Sequence, residues 1–502
     1  MVTAPHVRVA IVGTGFSGLG MAIRLAERER RGDGSQDFVV FERATEVGGT
    51  WRDNRYPGCA CDVPSRLYSF SYRQNPRWSR DFADADEIWR YLVDCADHYD
   101  VRRRIEFGAD LRSALYDDES ARWSLQLADG RRWTADALVL GVGALHEPVV
   151  PQIPGIATFA GPVMHTAAWP DEVDLTGKRV AVVGTGASSV QLVPELAGQV
   201  ETLSVFQRTP AWVIPKSDRL WTARRQRAFT RVPGLQRLVR WRTYLELESR
   251  VLAFTRFPKA LGLLERSSRR HLERAVPDPE TRRRLTPDYT IGCKRILLSN
   301  DYWPAFARDD VVLVTEPIER VEPGALITAD GRRHEVDALV LGTGFSVRGS
   351  IDRIDITGHD GRSLTEAWQA GTRSNLGITV AGFPELYLLL GPNTGLGHTS
   401  VILMIEWATD YVLACVDRSR TGPRVTTEAA QSAFTSEMAA RSRGTVWTSG
   451  CHSWYLDQFG HNASVWPRST VSYWWRTRRV DDTHFEVVPA PDRTLTPHRR
   501  EA

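Results

Sequence analysis

The sequence predicts an α/β protein in which two strand–turn–helix units of the same design follow one another, the second interrupted by helices. Three observations carry that prediction. Gly13-Thr-Gly15-Phe-Ser-Gly18 and Gly184-Thr-Gly186-Ala-Ser-Ser189 each follow a short apolar run and precede a stretch of helical periodicity. Ala128-Asp-Gly-Arg-Arg132, Asp136 and Ala137-Leu-Val-Leu-Gly141-Val-Gly143 recur at the same intervals as Ala329-Asp-Gly-Arg-Arg333, Asp337 and Ala338-Leu-Val-Leu-Gly342-Thr-Gly344. Such an internal repeat means that one architectural unit is used twice. Between 215 and 290, strand alternation gives way to Arg, Leu and Trp in amphipathic helical spacing, read here as solvated helix faces.

Bulk properties narrow the function class. At 502 residues the chain is long enough for two or three domains. A net charge of +3 is too close to balance to indicate nucleic acid as a partner. The six Cys are scattered, and the one close pair, Cys59 and Cys61, lacks the spacing of a zinc site, so no metal is expected. They are expected to be reduced thiols of a cytoplasmic protein. The apolar start over 7–26 contains Gly-x-Gly-x-x-Gly and Arg24, and lacks the small-residue cleavage site of a signal peptide. No run reaches the ~18–20 apolar residues of a membrane span.

In the first unit, residues 7–12 read as a strand and 19–29 as a helix. Gly13 permits the tight turn, Gly15 lets a pyrophosphate approach the backbone, and Gly18 lets helix and strand pack closely. The helix N-terminus then presents its partial positive charge to the phosphates. A second strand over 38–41 ends at Glu42, 24 positions after Gly18, where an acid accepts from a ribose 2′-hydroxyl. That selects an unphosphorylated adenosine, as in FAD or NAD. Gly48-Gly49 and Pro57-Gly58 mark an ordered loop over 46–62. Residues 84–99 read as a helix and 122–127 as a strand.

The second unit begins with a strand over 178–183, and Ser189 stands where the third glycine was, a small-for-small exchange. Its second strand, 202–206, ends in Gln207-Arg208-Thr209 rather than in an acid. An arginine pairs with a 2′-phosphate that a carboxylate would repel, which predicts NADPH there with Arg208 as the discriminator. The sequence thus describes two Rossmann-like dinucleotide-binding domains with a helical insert. The expected division is 1–149 for the first part of the FAD domain, 150–213 for the first part of the NADP domain and 214–292 for the insert. Residues 293–380 complete the NADP domain, and 381–502 complete the FAD domain with a Trp-rich end. Residues 381–390 read as a buried strand and 399–412 as a helix aimed at the flavin. The Pro- and Arg-rich tail beyond Pro489 is expected to be disordered.

Two stretches resemble the signatures of type I Baeyer–Villiger monooxygenases, a family of class B flavoprotein monooxygenases. Phe159-Ala-Gly161-Pro-Val-Met-His165-Thr-Ala-Ala-Trp169-Pro170 resembles the F-x-G-x-x-x-H-x-x-x-W-P fingerprint. Gly48, Gly49, Trp51, Tyr56, Pro57, Gly58 and Asp62 occupy the fixed positions of the second signature. The resemblance extends from about Gly13 to Trp475, and Trp169-Pro170 favours it over the related N- or S-hydroxylating enzymes, whose fingerprint is shorter. A non-catalytic flavin-binding protein is the more distant alternative, and no C-x-x-C pair is available for a disulfide reductase.

The resemblance implies FAD and NADPH as cofactors and a ketone and O2 as substrates, with an ester or lactone formed through a C4a-peroxyflavin. It implies that Arg295 is the catalytic arginine, held by Asp62, with Lys294 and Trp454 near NADP(H). The expected FAD-binding set is Gly13, Gly15, Ser17, Gly18, Glu42, Thr50, Trp51, Asp62 and Tyr68. For NADP it is Thr185, Gly186, Ser188, Ser189, Gln191, Arg208, Thr209, Lys294 and Trp454. Because the fingerprint lies in the connector before the second unit, Phe159, Gly161, His165 and Trp169 are read as hinge and packing residues. The Trp- and Leu-bearing insert suggests an apolar ketone.

Overall fold

A computed structural model of the chain describes residues 4–33, 37–170 and 172–489, so the tail after Pro489 lies outside the described residues. Two sheets organise the molecule. The first has eight strands, seven of them along the path Asp355–Thr357, Leu111–Asp117, Arg122–Leu127, Arg132–Leu140, His6–Val12, Phe38–Glu42 and Ile105–Phe107, with Leu386–Leu388 off it. Arg132–Leu140 is long enough to divide one edge between two neighbours. Its first residues pair antiparallel with Arg122–Leu127, and Leu138–Leu140 pair parallel with Leu386–Leu388. The chain is back in this sheet at Asp355–Thr357, ahead of the return expected at 381.

The alternation of a strand sends successive side chains to opposite faces, and the first sheet is buried on both. Val9 and Ile11 pack with the helices Phe16–Arg31 and Val401–Arg418, while Ala10 and Val12 pack with Trp123, Leu138 and Leu386 on the other side. Phe16–Arg31 stops at Gly32, whose φ of 79° is the left-handed cap that glycine supplies without a Cβ penalty.

The second sheet is parallel throughout, in the order Val311–Val314, Thr202–Phe206, Arg179–Val183, Ala338–Leu341 and Val163–His165. It too is covered on both faces. Val180, Val182 and Val340 face one core, and Ala181, Leu339 and Leu341 face another that includes Phe159.

The insert is helical, with Ala223–Arg231, Leu235–Ser249, Val251–Thr255, Gly262–Ala275 and Pro279–Arg284. Its longest helix does not line the cleft between the units. Leu235–Ser249 is bolted to the first unit instead, with Val239 and Leu247 in that unit's core. The buried Arg240 donates through Nη1 to the carbonyl oxygens of Arg66 (2.9 Å) and Leu67 (3.2 Å). Glu248 accepts from the Thr470 backbone N–H (2.6 Å) and hydroxyl (2.7 Å). The parts of the insert that do wall the cleft are Phe254 and Leu261, packed with Trp447 and Tyr455.

The expectation of six reduced thiols is corrected. Cys293 and Cys451 form a disulfide across 158 residues, while Cys59, Cys61, Cys95 and Cys415 are free and buried. Sequence spacing could not have paired two cysteines so far apart. The bridge also removes the thiol argument for a cytoplasmic location. Among the described residues no helix is long and apolar enough to cross a membrane.

Candidate active site

The two glycine turns close in the same way. Gly13 has φ +95° and a Cβ there would stand 2.8 Å from the Gly141 carbonyl oxygen; Gly184 has φ +108° and a Cβ there would stand 2.5 Å from that of Gly342. Both need the left-handed region and both abut their return strand. A Cβ on Gly18 would stand 1.9 Å from the Gly13 oxygen, so that position admits glycine alone. Ser189 fills the equivalent place in the second unit, fully buried, its Oγ without a hydrogen-bond partner. Nothing lies within 4 Å of a Cβ on Gly186, and only the Gly49 Cα (3.9 Å) meets one on Gly15. Those two positions leave the backbone open to a ligand, as a pyrophosphate cradle requires.

Glu42, 4% exposed, is already engaged. Its Oε2 accepts from Thr14 N–H (3.0 Å) and hydroxyl (2.5 Å), and its Oε1 from Ala44 N–H (2.9 Å), with Arg52 at 3.2 Å. A carboxylate has about four acceptor positions. A ribose hydroxyl at Glu42 would therefore share or displace one of these donors.

The second signature docks on both units. Trp51 donates from its indole N–H to the Tyr68 hydroxyl (3.3 Å), and the two rings meet edge to face at 5.4 Å. Trp51 touches the cores of both sheets. Thr50 donates to the Leu145 carbonyl at 3.4 Å, and Ser17 is buried at the start of its helix. Gln191 faces the first unit: it accepts from the Tyr56 hydroxyl (2.7 Å) and donates to the Ala60 carbonyl (2.8 Å). Ser188 lies beside the same Tyr56 hydroxyl. Ser188 and Gln191 thus join the units, a role that motif spacing did not disclose.

At the far end of that signature, Asp62 meets Arg295 across 233 residues of chain. Nε donates to Oδ2 at 2.7 Å and Nη2 to Oδ1 at 2.6 Å, the forked geometry of the strongest charge-assisted pairs. Solvent reaches 29% of the Arg295 and 24% of the Asp62 side chain, so the pair is partly buried rather than sealed. The Asp62 charge holds the Arg295 guanidinium firmly protonated against burial. Burial alone would raise the Asp62 carboxyl; the Arg295 charge and its hydrogen bonds outweigh it and hold the group below its ordinary value. The Tyr455 hydroxyl sits against Arg295, a neighbour the sequence did not single out. Arg295 is fixed on its own chain by Leu297–Leu298, which pairs with Val213–Ile214, and by the Cys293–Cys451 bridge. That bridge ties the Lys294-Arg295 segment to the one bearing Trp454 and Tyr455.

A cavity of about 430 Å³ opens beside this staple, lined by Arg208, His452, Ser453, Trp454 and Asp457. Lys294 lies over the Tyr289 ring at 4.8 Å. Its ammonium is pushed below its usual value by burial and then by the Arg208 charge, so two cations share this region. Thr185 donates to the Thr209 carbonyl at 2.7 Å, closing the loop that carries Arg208.

The fingerprint residues serve the second sheet. His165 ends its edge strand, and its Nδ1 accepts from Ala167 N–H (3.0 Å) while Nε2 is buried without a partner. Burial lowers its pKa, against a smaller raising effect from the Gly344 backbone. A Cβ on Gly161 would stand 2.1 Å from the Asp337 oxygen, and Trp169 packs against the core of Val180 and Val182.

Comparison with known proteins gives the family and the fold. The profile of the family described as flavin-binding monooxygenase-like matches residues 6–224. A Baeyer–Villiger monooxygenase of Pseudomonas aeruginosa is 42% identical over 99% of this chain and 94% of its own. One from Streptomyces coelicolor is 44% identical over 97% and 94%. The structure of OTEMO in complex with FAD and NADP superposes with a TM-score of 0.86 at 28% identity, covering 97% of this chain and all of that one.

Proposed function

The chain belongs to the Baeyer–Villiger monooxygenases, and from that premise we propose that it binds FAD and NADPH and inserts one oxygen atom of O2 beside the carbonyl of an apolar ketone. The balance is ketone, O2, NADPH and a proton giving an ester or lactone, NADP+ and water. The Asp62–Arg295 pair carries the residue-level reading, because it joins two distant motifs into one fixed cation inside the cleft.

The chain's own groups suit both cofactors. Gly15 and Gly186 leave room for a pyrophosphate at two helix N-termini. His398 Nδ1 and Thr399 Oγ1 are buried without partners just before the helix Val401–Arg418, where the polar edge of a flavin would find donors and acceptors. Arg208 and Lys294 offer positive charge to the phosphates of NADPH. FAD, once reduced, supplies the activation of O2.

Arg295 does the electrostatic work. With Nε and Nη2 committed to Asp62 and the Tyr455 hydroxyl beside it, the guanidinium plane is fixed, and N–H groups left over would be available to negative charge developing on oxygen beside a bound flavin. Donors oriented in advance in a dry site are among the largest contributions to catalysis. Asp62 is a positioning residue that keeps Arg295 from swinging toward solvent. The buried Tyr455 ring beside Arg295 would help keep water from the reacting centre. Arg295→Ala is expected to leave NADPH-dependent flavin reduction within a few-fold of wild type, by stopped-flow absorbance, and to abolish ester formation. Retained ester formation in that variant would overturn the role given to Arg295.

A further inference from the structure

The charge of this chain is not evenly spread. Residues 215–290 hold 19 Lys and Arg against 8 Asp and Glu, while the whole chain is only +3. The rest of the molecule is therefore net acidic and the insert strongly basic. The same segment carries eight large apolar side chains that face solvent. Basic charge and outward apolar side chains on one element form a combination that soluble helix faces usually avoid.

Exposed apolar side chains and two exposed arginines meet on one helix of this basic segment. Leu235–Ser249 buries Val239, Thr243 and Leu247 against the first unit, which turns the opposite face outward. On that face Leu238 (67% exposed), Trp241 (60%) and Leu245 (56%) stand at i, i+3 and i+7, and Leu252 (53%) continues the stripe. Arg242 stands within the stripe and Arg237 beside it, both exposed. Neither forms an ion pair with a carboxylate among the described residues. The stripe continues onto the helix Thr470–Thr477, which meets the insert where the hydroxyls of Tyr244 and Thr470 lie 3.0 Å apart. Trp241 packs on Tyr244, and Val471 and Trp475 add exposed apolar surface, with Arg478 stacked on Trp475.

We infer that this face docks the protein onto an anionic lipid surface, with Leu238, Trp241 and Leu245 entering the headgroup boundary and the surrounding arginines meeting lipid phosphates. Trp and Leu on one face with Arg around them is the composition of helices that lie in a membrane interface. A second copy of the chain fits less well, because a self-complementary contact would bring two basic inserts together. The contact is peripheral, and no segment needs to cross the bilayer.

Co-sedimentation of the full FAD-loaded protein with vesicles tests this. Vesicles of phosphatidylcholine with phosphatidylglycerol are expected to bind it at low salt, and vesicles of phosphatidylcholine alone at least about tenfold more weakly. Arg237→Gln/Arg242→Gln should weaken binding to the anionic vesicles by roughly fivefold per arginine. Leu238→Ser/Trp241→Ser/Leu245→Ser should weaken it about tenfold or more. Both variants should oxidise NADPH with a water-soluble ketone at the wild-type rate, since none of these residues lies in the cleft. Absence of binding to anionic vesicles at low salt would overturn the inference. So would a dimer in sedimentation velocity that the apolar variant dissociates, which would make a second copy the occupant. Binding to soluble polyglutamate as tight as to the vesicles, and unaffected by the apolar variant, would overturn it in favour of an acidic protein surface.

Discussion

The two dinucleotide units share a scaffold and differ in how far each is finished without its ligand. In the first, the acid at the end of the second strand is saturated: Thr14, Ala44 and Arg52 occupy Glu42 from every side. In the second, the corresponding stretch ends in Arg208, which is exposed at the rim of a cavity and whose charge adds to burial in lowering the Lys294 ammonium's pKa. A site whose polar groups are already paired is rigid and keeps its ligand. A site with an exposed arginine and a second cation near it draws an anion in and releases it again as conditions change. The contrast suits the proposed placing of FAD in the first unit and NADPH in the second.

Four substitutions test this contrast. Gly18→Ala drives a methyl to 1.9 Å from a backbone oxygen that cannot yield. It should destabilise the first unit by at least ~3 kcal/mol and leave protein purified without flavin, which absorbance at the flavin bands would report. Glu42→Gln leaves Arg52 with one carboxylate partner, Asp53, in place of two. A loss of about 2 kcal/mol in thermal unfolding is expected, because the Thr14 and Ala44 donors and Arg52 lose a buried charged acceptor. An unchanged Tm would show that the saturation of Glu42 is incidental. Arg208→Ala should raise the KM for NADPH about ten- to a hundredfold while NADH is barely affected, in line with the ~1.5–3 kcal/mol of a charge-assisted contact. An unchanged ratio of kcat/KM for the two cofactors would remove Arg208 from the site. Ser189→Ala, at the place of Gly18 in the other unit, should change stability by less than ~0.5 kcal/mol, since its hydroxyl has no partner to lose. A large loss there would mean that the buried hydroxyl holds a stabilising contact after all.

Much of this was legible in the order of residues. The glycine turns, the repeated return strands and the exchange of acid for arginine are local patterns, and the strands and helices they announce are present. The reduced state expected of Cys293 and Cys451 was the clearest miss. A bridge across 158 residues leaves no local trace, although one partner adjoins Lys294-Arg295 and the other lies three positions before Trp454. Gln191 was expected among the NADP-binding residues. Its side chain also meets Tyr56 and Ala60 of the first unit, a contact that helical spacing alone does not disclose.

What the sequence determined by itself is the identity and order of the parts: two nucleotide units, a basic helical insert and the two signatures. Turn chemistry and side-chain periodicity act over a few residues, so they can be read without knowing the fold. Only the tertiary structure decided which parts touch. Asp62 closes on Arg295 across 233 residues, Cys293 reaches Cys451, and the longest insert helix leaves the cleft to fasten on the first unit through Arg240 and Glu248. These contacts are set by which buried surfaces and charges can be satisfied together, a condition on the whole chain that no single stretch carries.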